Sequence, residues 1–327
     1  MKDSYTNLIK LTSLLSDCQF HDGETLGNRL RITRAAIWKM TNKLVDYGVP
    51  ITSIKGKGYA LTEPLILLDK KIIDASLEKT LAKQLDLTVL ESTPSTATFL
   101  RNHYSQNKKS LCLAEHQLAG IGRLGRSWTS PFGLNIYFSC RYYFQCDIAD
   151  LSGLSLAISI ALVKTLEKFG VTPQIKWPND IYSDHKKIAG SLIELIAESN
   201  GSCHAIISAG INVNMMNSAD KITQPWTSLR QQTGLAYDRN IISVELIQQL
   251  FSTIEVFRAE GLPYFKDLYH HYDYLDQHPV VIEQFQSTLE GKAVGIDDFG
   301  RLLLQTAPGK ITPISAGDAS LKKKTRT

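Results

Sequence analysis

The pattern of apolar side chains divides the first 63 residues into three short helical stretches and a pair of strands. Leucines recur at helical spacing between residues 8 and 15, and a second helix is indicated after Gly23. Thr33 is a good N-cap for a third helix, which Gly48 would end. Beyond Pro50 the period changes to two, on both sides of the basic turn Lys55-Gly56-Lys57-Gly58.

Three short helices followed by a basic hairpin form the element order of a winged helix-turn-helix. Helical geometry places one side of the third helix opposite its apolar stripe of Ile37, Met40 and Leu44. We expect that side, the helix N-terminus and the wing to contact DNA through Thr33, Arg34, Ala35, Trp38, Lys39, Asn42, Lys55 and Lys57. Lys and Arg outnumber Asp and Glu by nine to six in residues 1–63, which is only weakly basic, so a dimer on a two-fold operator is expected. A protein-interaction or vestigial role for this module is the alternative.

The rest of the chain has a mixed α and β pattern. It predicts helices over residues 69–85 (a connecting helix), 154–169 and 244–260. It predicts strands over residues 88–91, 111–115, 134–140, 188–198 and 203–213, the last two joined by a turn at Asn200-Gly201. The tail from residue 279 is strand-rich and resembles a small barrel, with a turn at Asp298-Phe299-Gly300. We therefore expect an α+β multidomain protein with domains at 1–63, 64–275 and 276–327.

The composition is that of an ordinary globular protein, with 327 residues, of which 43% are hydrophobic and 21% charged. The net charge of +4 is too small to identify a nucleic-acid binder, so that inference depends on the local pattern. The five cysteines are scattered without zinc-ligand spacing, which favours free thiols in a reducing compartment. The N-terminus lacks the apolar run of a signal peptide, and no stretch approaches the roughly 20 apolar residues of a membrane span. We expect a cytoplasmic protein with no membrane partner.

The segment Gly120-Ile121-Gly122-Arg123-Leu124-Gly125-Arg126 satisfies the dinucleotide pattern G-x-G-x-x-G, but its context does not. Residues 127–133 cannot continue the helix that a dinucleotide fingerprint opens, and no Gly-Lys-Ser/Thr follows as in a P-loop. What remains is a flexible loop with free backbone N–H groups and two guanidinium groups, and such a loop can hold an anion. An ordinary glycine-rich surface loop is the alternative.

A second segment, Lys176-Trp177-Pro178-Asn179-Asp180, ends one strand and turns toward Lys187-Ile188-Ala189-Gly190 in the next. Asn and Asp at such a position are often only turn formers. An unpaired buried ammonium is costly, however, so Lys187 in an otherwise apolar strand should have an anionic partner.

Two further segments are candidates for ligand contacts. Ser95-Thr96-Ala97 precedes a helix, where plain N-capping is the alternative explanation. Ala209-Gly210-Ile211-Asn212 lies at the end of a strand, where the glycine permits close backbone approach and the asparagine offers polar contacts.

Together these segments resemble the biotin–protein ligase family. Ala114-Glu115-His116-Gln117, the loop over residues 120–126 and Trp128 are similar to the family's biotin and adenylate loop. Residues 176–190 resemble its KWPND signature with the following lysine and glycine, and residues 209–212 its GIN strand. Arg34-Ala35-Ala36-Ile37-Trp38-Lys39 and Gly56-Lys57-Gly58-Tyr59 extend the resemblance to the bifunctional ligase–repressor class. This class implies a central mixed α/β domain resembling class II synthetase-like folds and a C-terminal SH3-like β-barrel.

The resemblance also implies a reaction in two steps, in which biotin and ATP give biotinyl-5′-AMP, and a lysine of a carrier protein then accepts the biotin. The implied catalytic residues are Arg123, Lys187 and Asp180. The implied biotin-binding residues are Ser95, Thr96, Ala97, Gln117, Ile121, Gly122, Arg123, Lys187 and Gly190. The implied ATP- and adenylate-binding residues are Gly120, Arg123, Arg126, Trp128, Asn179, Asn212 and Trp226.

The implied partners are the biotin carboxyl carrier protein of acetyl-CoA carboxylase, operator DNA and a second copy of the chain. Biotinyl-5′-AMP would act as corepressor and favour the homodimer. No metal site in the protein alone is implied, and Mg²⁺ would enter with ATP near Asp180.

The sequence departs from the family pattern in the loop and before the helix. Ile121 and Leu124 occupy positions that are often basic, and Ala97 stands where the family usually has asparagine. We hypothesise that Ile121 weakens retention of the adenylate, because a lost charged hydrogen bond costs about 1.5–3 kcal/mol. Two other functions stay open, a lipoate or octanoate transferase and a biotin-sensing transcription factor without ligase activity.

Overall fold

The computed structural model describes residues 7–105, 108–198, 201–217, 222–284 and 287–322. The described chain contains a two-stranded, a seven-stranded and a five-stranded sheet. These sheets belong to an N-terminal helical region, a central α/β region and a C-terminal β region in chain order. This organisation agrees with the α+β content that the sequence predicts.

The N-terminal region has the three helices and the hairpin that the apolar pattern predicts. They are α1 (Asn7–Leu15), α2 (Gly23–Leu30), α3 (Arg34–Asp46), β1 (Ile51–Ile54) and β2 (Gly58–Leu61). The Thr33 side chain accepts a hydrogen bond from the backbone N–H of Ala36, so Thr33 caps α3 as predicted. Gly27 permits the tight turn between α2 and α3, because a Cβ there would lie 2.7 Å from the Ile32 carbonyl oxygen.

The apolar core of the N-terminal region includes side chains from the rest of the chain. Leu65 and Phe132 are buried in the same cluster as Ile37 and Leu44 of α3. The backbone N–H of Phe132 also donates to the carbonyl oxygen of Tyr47, at 3.0 Å. The helix-turn-helix is therefore packed against the central region.

The central region is built on a sheet with the strand order β3-β4-β5-β9-β8-β7-β6, in which β3 and β4 are parallel and the other recorded pairs are antiparallel. Its strands are β3 (Leu85–Leu90), β4 (Lys109–Ala114), β5 (Ile136–Phe144), β6 (Gln174–Lys176), β7 (Asp180–Ser183), β8 (Lys186–Ala197) and β9 (Cys203–Ile211). Its helices are α4 (Lys70–Ser76), α5 (Lys79–Gln84), α6 (Thr96–Asn102), α7 (Leu154–Glu167), α8 (Leu229–Thr233), α9 (Arg239–Glu260) and α10 (Lys266–Tyr272). Helices α7 and α9 contact each other and contribute to the main apolar core, whereas α6 lies across β4, β5 and β9.

The single connecting helix predicted over residues 69–85 is wrong. The segment forms α4 and α5, which are separated at Leu77, where φ is −74° and ψ is 151°. Leu85 and Leu87 then pair with β4 and are buried, so β3 begins three residues before the predicted strand. Short apolar runs fit either a helix or a strand, and pairing within the sheet decides between them here.

Other element limits differ by a few residues from the prediction. Strand β5 continues to Phe144, α7 ends at Glu167, and α9 begins at Arg239, where the Asp238 side chain caps it. The predicted β8–β9 hairpin is confirmed by the antiparallel pairing of these strands. Of its predicted turn, Asn200 lies outside the described residues.

One apolar segment is longer than the sequence analysis allowed. The stretch Ile148–Glu167, which includes α7, is long and apolar enough to cross a membrane by length and composition, so the expectation that no stretch approaches this length is wrong. In an apolar window of 18 residues within this stretch, 61% is buried inside the protein. Burial in the core accounts for this apolar composition, because a helix that is surrounded by other elements is hydrophobic all round.

The C-terminal region is an antiparallel sheet with the order β13-β12-β11-β10-β14. Its strands are β10 (Pro279–Glu283), β11 (Thr288–Ile296), β12 (Leu302–Ala307), β13 (Lys310–Ile314) and β14 (Asp318–Leu321). The predicted turn between β11 and β12 contacts the central region, since the indole N–H of Trp177 donates to the carbonyl oxygen of Gly300 at 3.0 Å. This contact fixes the C-terminal sheet beside the segment that leads into β7.

Candidate active site and nucleic-acid interface

A cleft of about 630 Å³ lies on the face of the central sheet that α6 crosses. Its volume is in the range of small-ligand sites. The start of α6, the loop after Gln117, and strands β8 and β9 contribute its walls. The predicted site residues that line it are Ser95, Thr96, Ala97, Gln117, Ile121, Gly122, Arg123, Arg126, Trp128, Asn179, Asp180, Lys187, Gly190, Asn212 and Trp226.

The segment before α6 both caps the helix and faces the cleft. The Ser95 hydroxyl accepts a hydrogen bond from the backbone N–H of Thr98 at 3.0 Å, as N-capping predicts. The backbone N–H of Thr96 donates to the Gln117 side-chain oxygen at 2.9 Å, and the Thr96 hydroxyl lies 2.7 Å from that of Ser139 in β5. These bonds hold three polar side chains at one end of α6 in fixed positions.

The glycine-containing segment is a loop and does not open a helix, as predicted from residues 127–133. It contains a single 3₁₀ turn, Arg123–Gly125. The backbone N–H of Gly122 donates to the carbonyl oxygen of Arg126 at 2.7 Å and closes the loop on itself. Ile121 and Leu124 are exposed, by 50% and 74%.

Gly120 is not among the residues that line the cleft. A Cβ on Gly120 would lie 2.7 Å from the carbonyl oxygen of Trp128. Gly210 has a similar place under the Trp128 ring, since a Cβ there would lie 2.4 Å from the ring. Both glycines thus let the tryptophan segment approach the backbone closely.

Two cations of the cleft have fixed partners. The ammonium of Lys187 lies 2.7 Å from the carboxylate of Asp180, so the predicted anionic partner of Lys187 is confirmed. The guanidinium of Arg123 donates to the side-chain oxygen of Asn179 at 3.3 Å. Lys187 also lies 5.4 Å from the centroid of the Trp128 ring, in cation–π range. Strand β8 and the loop therefore present positive charge to the same cavity.

The asparagines of the cleft serve the protein's own structure as well. The Asn179 amide donates to the carbonyl oxygen of Ser191, and Asn179 is buried. The Asn212 amide donates to the carbonyl oxygen of Thr227 at 3.0 Å, next to Trp226. The Asn212 bond and the backbone bridge between Trp226 and Lys187 hold the segment of Trp226 beside β8, at the rim of the cleft.

Three charged residues that line the cleft, Asp318, Arg101 and Glu194, were not predicted. Asp318 of the C-terminal sheet lines the cleft and forms an ion pair with Arg126. Arg101 and Glu194 also line it and pair with each other. Burial lowers the pKa of Lys176 below its usual value, although the charges of Asp180 and Asp318 oppose this shift. Asp318 lies 192 residues from Arg126, so no local pattern could have indicated their contact.

Glu115, in the segment that resembles the family's biotin and adenylate loop, does not line the cleft and has a structural role. Its carboxylate pairs with Arg239 of α9 at 2.6 Å, and both side chains are almost completely buried. Glu115 also accepts the backbone N–H of Leu68, and Arg239 donates to the carbonyl oxygen of Ile66. The pair therefore ties the segment after the helix-turn-helix to the central region.

The predicted DNA-contacting residues lie on the exposed side of the N-terminal region. Helix α3 buries Ile37, Thr41 and Leu44, and the opposite side is exposed. The exposed residues include Thr33, Arg34, Ala35, Trp38, Lys39 and Asn42, together with Lys55 and Lys57 of the wing. The structure thus presents the end of α3 and the hairpin on a surface that the core does not use.

All five cysteines are free. Within the described ranges, no three His, Cys, Asp or Glu side chains come together in a group that could hold a metal ion. Paired cations and the rings of Trp128 and Trp226 characterise the cleft. Together with the helix-turn-helix, it defines a class of protein in which a ligand cleft with several cations is joined to a helix-turn-helix module.

Comparison with known proteins identifies the family. The biotin/lipoate A/B protein ligase family matches residues 89–212, the biotin protein ligase C-terminal domain matches residues 279–322, and an HTH domain matches residues 8–60. The bifunctional ligase/repressor BirA of Salmonella typhimurium is 38% identical over 98% of this chain and 99% of its own. The corresponding protein of Bacillus subtilis is 31% identical over 96% of this chain and 98% of its own.

A solved structure has a similar fold over most of the chain. The biotin protein ligase from Aquifex aeolicus in complex with biotin and ATP is similar with a TM-score of 0.63 and 27% identity, over 73% of this chain and 99% of that one. The chain therefore belongs to the bifunctional ligase/repressor family of biotin protein ligases.

Proposed function

We propose that this protein is an ATP-dependent biotin–protein ligase that also represses transcription of biotin biosynthesis genes. The observation that carries the proposal is the convergence of Arg123 and Lys187 on one cleft. A carboxylate and a phosphate repel each other, and two fixed cations offset this repulsion and stabilise charge that develops at phosphorus. Holding the two reactants in line contributes a further ~7–11 kcal/mol.

The proposed reaction has two covalent steps. A biotin carboxylate oxygen attacks the α-phosphorus of ATP, the bond to the β-phosphate oxygen breaks, and pyrophosphate leaves with biotinyl-5′-AMP formed. The neutral amine of a lysine on the biotin carboxyl carrier protein of acetyl-CoA carboxylase then attacks the acyl carbon. AMP leaves with the electron pair, and the amine proton passes to solvent.

The biotin end of the cleft is assigned to the residues around the start of α6. The ureido group of biotin needs hydrogen-bond donors and acceptors in an otherwise apolar slot, which Ser95, Thr96 and Gln117 can supply. Ala97, Ile121, Gly122 and Gly190 line the same cleft and are assigned to this end. Lys187 and Arg123 take the carboxylate.

The nucleotide end is assigned to the residues around β7 and the loop. Asn179 and Asp180 are placed to hold ribose or phosphate, and Arg126 adds a cation. Trp226 is assigned to stacking on adenine and Trp128 to ordering of the closed loop. Asn212 supports the segment of Trp226. Gly120 lies against the segment of Trp128 and is assigned to the adenylate loop through that contact.

Mg²⁺ is assigned to the nucleotide and not to a protein cage. Asp180 faces the cleft beside the proposed phosphate position and is already paired with Lys187. The other carboxylate near the nucleotide end, that of Asp318, is paired with Arg126. A single carboxylate with substrate phosphates and waters is a donor set that Mg²⁺ accepts. The ion would neutralise phosphate charge there.

The repressor function rests on the exposed side of α3 and the wing. A single weakly basic module binds DNA poorly, so we propose a homodimer on a two-fold operator, with biotinyl-5′-AMP as corepressor. The adenylate would order the loop over residues 120–126 beside a sheet edge used for pairing. Sedimentation with and without biotin and ATP tests this, and an assembly state that ignores both ligands removes the coupling.

The remaining parts of the proposal concern organisation and location. We place the domain limits at residues 63 and 275 and interpret the C-terminal sheet as an SH3-like barrel, on the basis of its five antiparallel strands. We propose a class II synthetase-like arrangement for the central region and a cytoplasmic location for the protein.

One assay tests the enzymatic proposal against its alternatives. The protein is incubated with ATP, Mg²⁺, biotin and a carrier domain, and biotinylated carrier is measured by mass spectrometry. Transfer of lipoate or octanoate alone would identify an acyl transferase instead. Binding of biotin without adenylate would identify a biotin sensor, and the double variant Arg123→Ala/Lys187→Ala at the parent's rate would remove the assigned chemistry.

A further inference from the structure

The floor of the cleft includes residues from successive rows across β9 and β8, which β5 continues. Directly paired residues of neighbouring strands point to the same side of a sheet. The register therefore gives three rows on the cleft side: Tyr137, Gly210 and Gly190; Ser139, Ser208 and Leu192; and Arg141, Ile206 and Glu194. The first row lies under Trp128, and Thr96 bonds the second. Glu194 belongs to the third row, farther from the cations.

Glu194 forms an ion pair with Arg101, which lies in the last turn of α6. The Arg101 Nη2 and Nε atoms lie 2.5 Å and 3.1 Å from the same Glu194 oxygen, Oε2. Both side chains line the cleft, and they are 43% and 25% exposed. The pair therefore connects α6 to β8 across the intervening strand β9.

The two ends of α6 are thus fixed in different ways. Thr96 holds the N-terminal end through Gln117 and Ser139, and Arg101 holds the C-terminal end through Glu194. Ala97 and Arg101 are four residues apart and lie on the same side of the helix. With alanine at position 97, this side of the helix has no polar group of its own until Arg101.

The pair is remote from the proposed phosphate position. The Lys187 ammonium lies over Gly190, since a Cβ on Gly190 would be 3.6 Å from Lys187 Nζ. Glu194 follows Gly190 by four residues in the same strand, which corresponds to about 13 Å at a rise of roughly 3.3 Å per residue. Neither partner can therefore contact the phosphates that Lys187 and Arg123 are proposed to bind. Their influence is confined to the end of the cleft that Ser95 and Thr96 line.

We propose that the Arg101–Glu194 pair is a positioning pair that closes the biotin end of the cleft. In this role it sets the affinity for biotin independently of the affinity for ATP. The inference rests on the proposed ligase function. The pair holds the C-terminal end of α6 against β8. The helix as a whole is thereby fixed, and the polar groups at its N-terminal end keep a distance from β8 that fits the bicyclic ring of biotin. Loss of either partner lets this end open and weakens biotin binding alone.

The test uses the full-length protein with Arg101→Met, Glu194→Gln and the double variant. Because the side chains act as a pair, each single variant is expected to raise the KM for biotin about five- to twentyfold, and the double variant to raise it no further. The KM for ATP and kcat at saturating biotin should stay within about twofold of the parent. Lys109→Met is the matched control, since Lys109 pairs with Glu255 outside the cleft.

The outcomes separate this inference from the proposed function. If the parent protein transfers no biotin to the carrier, the ligase proposal fails. If the parent is active and the single variants keep its KM for biotin, the inference is overturned. Additive losses in the double variant, or a parallel rise in the KM for ATP, overturn it as well.

Discussion

Removal of the Lys187 ammonium is the most direct test of the proposed chemistry. The group lies 2.7 Å from Asp180, and its side chain is 14% exposed, so the charge is only partly screened by solvent. Lys187→Met removes a cation from the reacting carboxylate and phosphate and leaves Asp180 without its partner. Loss of one fixed donor at developing charge costs on the order of 2.7–4 kcal/mol, or about 10²- to 10³-fold in kcat.

The assay measures formation of biotinyl-5′-AMP in a single turnover, with the release of pyrophosphate as the signal. Lys186→Met is the control, because Lys186 is the neighbouring residue in β8, is exposed and does not line the cleft. We expect the control to keep the parent's rate. If the rate for Lys187→Met is less than about fivefold below the parent's, the proposed role of this ammonium is refuted. An equal loss of rate in both variants would mean that disturbance of strand β8, and not the missing charge, causes the effect.

Four other perturbations have defined outcomes. Asp318→Asn removes a carboxylate from a cleft that takes an anion and frees Arg126, so the KM for ATP should fall about two- to fivefold; an unchanged or higher KM contradicts this. Ile121→Arg should slow dissociation of the adenylate, and an unchanged rate removes the retention hypothesis. Lys57→Ala should weaken operator binding and reduce the slope of log K against log salt by about 0.9; an unchanged slope means that Lys57 contacts no phosphate. Burial raises the pKa of Asp273 from 3.8 to about 6, so the proton is bound more tightly in the folded state. The free energy of unfolding should therefore fall by at most about 3 kcal/mol as the pH rises from about 4 to about 7. If denaturant titrations of Asp273→Asn show the parent's slope against pH, the interpretation fails.

The order of helices and strands was largely determined by local patterns in the sequence. The three N-terminal helices, the wing and the β8–β9 hairpin follow from apolar periodicity, caps and turn residues, which act over a few neighbours. The cost of a lone buried ammonium also predicted that Lys187 has an acidic partner. The segment over residues 69–85 was predicted wrongly, because pairing of Leu85 and Leu87 with β4 overrides a helical pattern.

Contacts between distant parts of the chain were decided only by the tertiary structure. The buried Glu115–Arg239 pair, the Arg126–Asp318 pair and the packing of Phe132 into the N-terminal core join residues that are far apart in sequence. The sequence by itself determined which residue types carry positive charge, cap helices and form turns, because these properties are local. Which charges meet, and which end of the cleft each one closes, depends on the order in which the strands assemble into the sheet, and no local pattern records that order.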